Sequence, residues 1–92
     1  MTDIFDLRLK PSADAVESSV GDETVILHLK SGTYFGLDPM GTRIWSMLKE
    51  GMNPPAICAR IVEEFDVAPD VVEADVRRFL SDLKANDLLV DG

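Results

Sequence analysis

From Thr24 to Lys30 the side chains alternate with a period of two. This predicts a β-strand with Val25, Leu27 and Leu29 on one face and Thr24, Ile26, His28 and Lys30 on the other. Gly21-Asp22 and Ser31-Gly32 bound that strand as turns, and Pro11-Ser12-Ala13-Asp14 opens the strand before it, Ala15 to Val20. The third strand, Thr33 to Leu37, sets Thr33, Phe35 and Leu37 on one face and Tyr34 and Gly36 on the other, after a Gly32 suited to positive φ. At Asp38-Pro39 the period lengthens to about 3.6, with Asp38 as N-cap and Pro39 at the first helical position. Met40, Ile44, Met47 and Leu48, widened by Trp45, form the inner stripe of this first helix, and Gly51 stops it. The second helix follows Asn53-Pro54-Pro55 and carries Ile57, Cys58, Ile61, Val62 and Phe65 inward. The third opens at Pro69-Asp70 with Asp70 and Glu73 at capping-box spacing, and its stripe is Val72, Val76, Phe79, Leu80 and Leu83. Asn86-Asp87 then turns into a short extended piece, Leu88-Leu89-Val90, expected to tuck under the sheet or the third helix. Strands first and helices after is an α+β order. The expected fold is winged helix-turn-helix-like, a three-stranded antiparallel sheet followed by three helices.

With 92 residues the chain has room for one core, so residues 1–92 are read as a single domain with 1–10 as a flexible lead-in. A hydrophobic fraction of 46% excludes a disordered acidic tail. The formal net charge of −8 repels phosphate backbones and anionic headgroups, so neither nucleic acid nor membrane is expected as a partner. Cys58 is the only cysteine and cannot form an internal disulfide; Met1-Thr2-Asp3 begins no export leader; a cytoplasmic protein is expected.

Chemistry-bearing residues are few. The single His and the single Cys fall on different elements, so no metal site is expected. His28 is placed on the solvent side of its strand and reads as a surface residue rather than a base. Cys58 lies on the apolar face of the second helix with no partner to lower its pKa. No glycine-rich phosphate cradle occurs, so no nucleotide cofactor is implied. Asp70, Glu73, Asp75 and Asp82 read as a solvated helix face rather than an acid and base pair, and Met40, Trp45, Met47 and Phe79 as core rather than a cofactor box. No enzyme is expected.

A surface remains. The third strand ends the meander and is therefore an edge whose backbone is free to pair. The third helix exposes a row, Val71, Asp75, Arg78 and Asp82, beside its buried stripe. Where row and edge adjoin they form a groove for an extended peptide, whose basic residues meet the acidic ones. Ordinary solvated surface is the alternative.

Tyr34-Phe35-Gly36-Leu37-Asp38-Pro39-Met40-Gly41-Thr42-Arg43-Ile44-Trp45 resembles the strand-to-helix junction of PqqD-like proteins. Ala56 to Phe65, then Val67, Pro69 and Asp75-Val76-Arg77-Arg78-Phe79-Leu80-Ser81-Asp82-Leu83, resembles that family's second and third helices. The matches together span nearly the whole chain. One departure is Asp87, where the family usually has Gly before the final Leu-Leu; Asp tolerates left-handed geometry better than most residues. The resemblance implies a non-catalytic recognition element for ribosomally synthesised, post-translationally modified peptides. Such an element binds the leader of the precursor and presents it to modifying enzymes, a protease, a cyclase or a radical S-adenosylmethionine enzyme. PqqD proper serves pyrroloquinoline quinone synthesis, and similar stand-alone domains serve lasso peptide and radical-enzyme pathways. The implied contacts are the backbone of Thr33, Tyr34, Phe35, Gly36 and Leu37 and, on the third helix, Val71, Val72, Asp75, Arg78, Phe79 and Asp82. The rivals are a general interaction or homo-oligomerisation domain pairing through Ile26 and the edge strand, a DNA-binding winged helix, and a small hydrolase built on Cys58 or His28.

Overall fold

The computed structural model describes residues 3–92. After a 3-10 turn at Ile4–Asp6, the chain forms β1 (Leu9–Pro11), β2 (Ala15–Val20), β3 (Glu23–His28), β4 (Tyr34–Leu37), α1 (Pro39–Lys49), α2 (Pro54–Glu64), α3 (Pro69–Ala85) and β5 (Leu89–Asp91). β2, β3 and β4 form the expected antiparallel meander, so the third strand of the sequence reading is β4. The three helices follow it in an α+β, winged-helix-like order.

A second sheet had no clear signal in the sequence. β1 pairs antiparallel with β5, Lys10 opposite Val90, and Leu9, Leu88 and Leu89 are buried around that ribbon. The extended tail thus lies beside β1, with the Gly92 N–H bonded to the Arg8 carbonyl at 2.8 Å.

The sheet presents the face opposite to the one expected. Thr24, Ile26 and His28 are buried, Ile26 completely, whereas Val25 and Leu27 are half-buried and Leu29 is exposed. β3 carries apolar side chains on both faces, so alternation alone does not select one; the helices do. Ile26 packs with Leu37, Trp45, Met47 and Leu80 in the core, which removes it from any pairing surface for a second copy. His28 is likewise not a surface residue. Its Nδ1 accepts a hydrogen bond from the Ser31 N–H at 3.3 Å, which ties the ring into the β3–β4 turn, where Gly32 has φ 71°.

Local signals decide the helix ends. Asp38 Oδ1 accepts from the Gly41 N–H at 2.7 Å, and the Asn53 side chain from the Ala56 N–H at 2.9 Å, each followed by proline in the first turn. α3 departs from expectation: its N-cap is Ala68, with no side-chain cap, so Asp70 and Glu73 do not form a capping box. Pro69 starts the helix one residue ahead of Asp70, which lies instead in the first turn, where the helix dipole favours a carboxylate. Phe65, expected inward, is the half-exposed C-cap of α2, its backbone already extended.

The far end of α3 closes in a Schellman arrangement. The Leu88 N–H bonds to the Leu83 carbonyl and the Asp87 N–H to that of Lys84, with Asp87 at φ 60°. The buried pair Leu83 and Leu88 supplies the apolar contact that accompanies this motif. Asp87 therefore adopts the left-handed geometry expected of it in place of glycine.

Candidate functional site

β4 has one paired and one open border. Among the described residues it bonds only to β3, and the sheet order ends at β4. In an antiparallel ladder, alternate residues direct both backbone groups to the same side. The His28 N–H bonds to the Thr33 carbonyl, and the register pairs Ile26 with Phe35 and Thr24 with Leu37. Thr33, Phe35 and Leu37 thus address β3, while Tyr34 and Gly36 turn their N–H and C=O groups to the open side.

Two hollows lie against α3, one near each end of β4. The larger, about 360 Å³, adjoins the C-terminal end of β4 and is lined by Met40, Gly41 and Ile44 of α1 and by Val71, Val72 and Phe79 of α3, among others. Gly41 shapes its floor: a Cβ there would stand 3.2 Å from the Phe79 ring and 3.2 Å from Asp38 Oδ1, so only glycine lets that ring approach without displacing it. The smaller, about 190 Å³, lies at the N-terminal end of β4, where Thr33 and Phe35 face Ala85, Asn86, Asp87 and Leu88. Strand and helix therefore run in opposite senses past the two hollows.

The sequence-predicted residues separate accordingly. Val71, Val72, Asp75, Arg78 and Phe79 line the larger hollow; Thr33 and Phe35 line the smaller. Asp82 is exposed and lines neither; it follows Val71, Asp75 and Arg78 at helical spacing. Leu37 is core, and the Tyr34 side chain, 68% exposed, points to the outer face of the sheet. Met40, Gly41, Ile44, Ile61 and Val67 line the larger hollow and were not among the predicted contacts. A helical stripe marks Met40 and Ile44 as apolar and inward, and nothing in it separates core from cavity wall.

The electrostatics are one-sided. Arg78, the cation in the larger hollow, is held by Asp75 at 2.9 Å. Elsewhere Cys58 is half-buried and burial pushes its thiol up, away from the thiolate a nucleophile requires. No cluster of three or more metal-ligating side chains occurs among the described residues. No helix among them is long and apolar enough to cross a membrane.

The family model described as coenzyme PQQ synthesis protein D (PqqD) matches residues 23–89, from the start of β3 into β5. The chain belongs to the PqqD family. No curated protein sequence matches it. Two solved structures share its fold. The structure of TbiB1 in complex with the TbiA(beta) leader peptide is similar at 48% identity with a TM-score of 0.83, covering 87% of this chain and 93% of that one. Lasso peptide synthetase B1 complexed with the leader peptide superposes with a TM-score of 0.83 at 20% identity, over 90% of this chain and 98% of that one, a likeness of fold.

Proposed function

We propose that this PqqD-family chain binds the leader segment of a ribosomally synthesised precursor peptide and delivers it, without catalysis of its own, to modifying enzymes. The observation that carries this reading is the open border of β4, set beside an apolar hollow against α3. The leader adds as an extended strand, pairing with the outward backbone groups of Tyr34 and Gly36, while its apolar side chains enter the groove lined by Val71, Val72 and Phe79. The pairing is tolerant of sequence, and the hollows confer the selection. Holding the leader beside a protease, cyclase or radical enzyme raises its effective concentration there. The leader-peptide complex formed by a protein 48% identical over most of both chains supports this reading.

The test is titration of a fluorescent TbiA(beta) leader peptide with the protein, followed by anisotropy. Saturable binding is expected. Gly36→Pro removes an outward N–H at a position where a Cβ meets nothing within 4 Å, and is expected to weaken binding at least about tenfold. Gly36→Ala, which retains the N–H, is expected to bind normally. Phe35 is the wrong site for this substitution, since its N–H addresses β3 and proline there breaks the sheet itself. No saturable binding by the wild type overturns the leader-binding reading. Equal affinity of folded Gly36→Pro and Gly36→Ala overturns strand addition.

A further inference from the structure

The two flanks of α3 are engaged differently. One carries Val71, Asp75 and Arg78 and lines the larger hollow; across the buried stripe, the other carries Glu73, Arg77 and Lys84. This second flank is tied to segments from both ends of the described chain: Arg77 donates to Asp3, and Lys84 Nζ to Asp91 at 2.7 Å. Around Arg77 the tie has several parts. The guanidinium lies 4.5 Å from the centre of the Phe5 ring and 3.7 Å from the Glu73 carboxylate, one turn back on α3. Asp3 also accepts the Phe5 N–H at 3.0 Å, so one carboxylate both caps the 3-10 turn and holds the cation. Ile4, Phe5 and Leu7 are half-buried against the core, and the turn packs on α2 as well as on α3. It therefore bridges the two helices that contribute Ile61, Val72 and Val76 to the wall of the larger hollow.

We infer that Asp3 to Leu7 form a strap that sets α3 against α2 for the leader, with Arg77 as a positioning residue. This rests on the leader-binding reading and adds a control to it from outside the groove, since Arg77 lines neither hollow. The two states are the strap seated and the strap released. Released, it no longer fixes Val72 and Val76 relative to Ile61, and the leader meets a wall that is not preorganised. The ion pair is exposed and weak by itself, so the half-buried apolar side chains supply most of the seating and Arg77 directs it onto α3. By linkage, the factor that the seated strap adds to leader affinity is the factor by which bound leader favours seating.

The experiment titrates the fluorescent TbiA(beta) leader peptide with the full chain as wild type, as Phe5→Ala combined with Arg77→Met, as Arg77→Lys, and as Glu64→Gln, which breaks an ion pair of similar exposure between α1 and α2. The double variant is expected to bind roughly fivefold or more weakly, while Arg77→Lys, which keeps the cation, and Glu64→Gln stay within about twofold of the wild type. In the wild type, exchange of the Asp6 and Leu7 amides, bonded to the carbonyls of Asp3 at 2.9 Å and Ile4 at 3.3 Å, is expected to slow with saturating leader by the factor the double variant loses. A double variant folded by circular dichroism that binds as the wild type does overturns the inference and leaves the leader-binding reading standing. Weakened binding without slowed exchange assigns the loss to general destabilisation and also overturns it. Should the double variant not fold, exchange in the wild type decides: slowing supports the strap and an unchanged rate overturns it. A wild type that does not bind the peptide overturns both readings.

Discussion

β2 and β4 are the two borders of one three-stranded sheet, and they differ in charge and in what lies beside them. β2 carries a charge on the face turned to the helices: Glu17, opposite Ile26, accepts from Trp45 Nε1 at 3.2 Å and from Lys49 Nζ at 2.9 Å. An inward charge on an edge strand opposes pairing with another chain. β4 reads Tyr34-Phe35-Gly36-Leu37, without charge, and its Phe35 lines a hollow against the end of α3. Unpaired backbone is thus common to both borders. What sets β4 apart as the proposed docking edge is the hollow beside it and the absence of a charge across it.

Four changes probe that contrast. Ile26→Ala hollows the support beneath both borders and is expected to cost about 2–5 kcal/mol in urea unfolding, the largest effect. The paired proline substitutions come next. The Leu29 N–H bonds to the Asp14 carbonyl, so by alternation Ala15, Glu17 and Ser19 turn their backbone groups to the open side of β2. Ser19→Pro therefore matches Gly36→Pro in geometry, and leader titration is expected to show a loss of about tenfold at β4 and none at β2. Equal losses at both borders would falsify the assignment of the site to β4. Glu17→Ala leaves the buried Trp45 indole N–H without its acceptor and removes the charge on β2; a cost of about 1 kcal/mol and increased light scattering with concentration are expected.

The smallest effect belongs to a brace away from both borders. Arg43 near the start of α1 donates to Glu64 at the end of α2, with Nε at 3.0 Å from Oε1, and this holds the Glu64 carboxyl below the usual carboxylate range. A folded-state pKa below the unfolded one, about 4.3 for glutamate, gives stability that is present above that value and lost as pH falls through the folded one. Glu64→Gln is expected to melt slightly below the wild type at pH 7, the two curves converging in acid, with leader affinity unchanged. A gap that persists below the folded pKa would mean that packing, not charge, makes the brace.

Much of the site was legible because it is built from local signals. Gly32 at the turn, Asp38 as cap and Pro39 after it place both ends of β4 and the start of α1 within a few residues. Strand order alone makes β4 a border, and helical spacing alone aligns Val71, Asp75, Arg78 and Asp82. The walls of the larger hollow were less legible. Met40, Ile44 and Ile61 are apolar residues on inner stripes, and whether such residues touch one another or line a gap depends on how two helices and a strand meet. Gly41 is the exception, since its contact with Phe79 accounts for a glycine inside a helix, where that residue is otherwise costly.

The amino-acid order by itself determined the helix spans, two of their caps, the left-handed turn at Asp87 and the fact that a border strand precedes α1. Each depends on interactions within about one turn of chain, which residue type and spacing control directly. Tertiary structure alone decided which face of β3 is inside, the burial of His28, the pairing of β1 with β5 and the opposed senses of β4 and α3. These depend on surfaces brought together from distant parts of the chain. Where both faces of a strand are apolar, burial goes to the one that the helices cover.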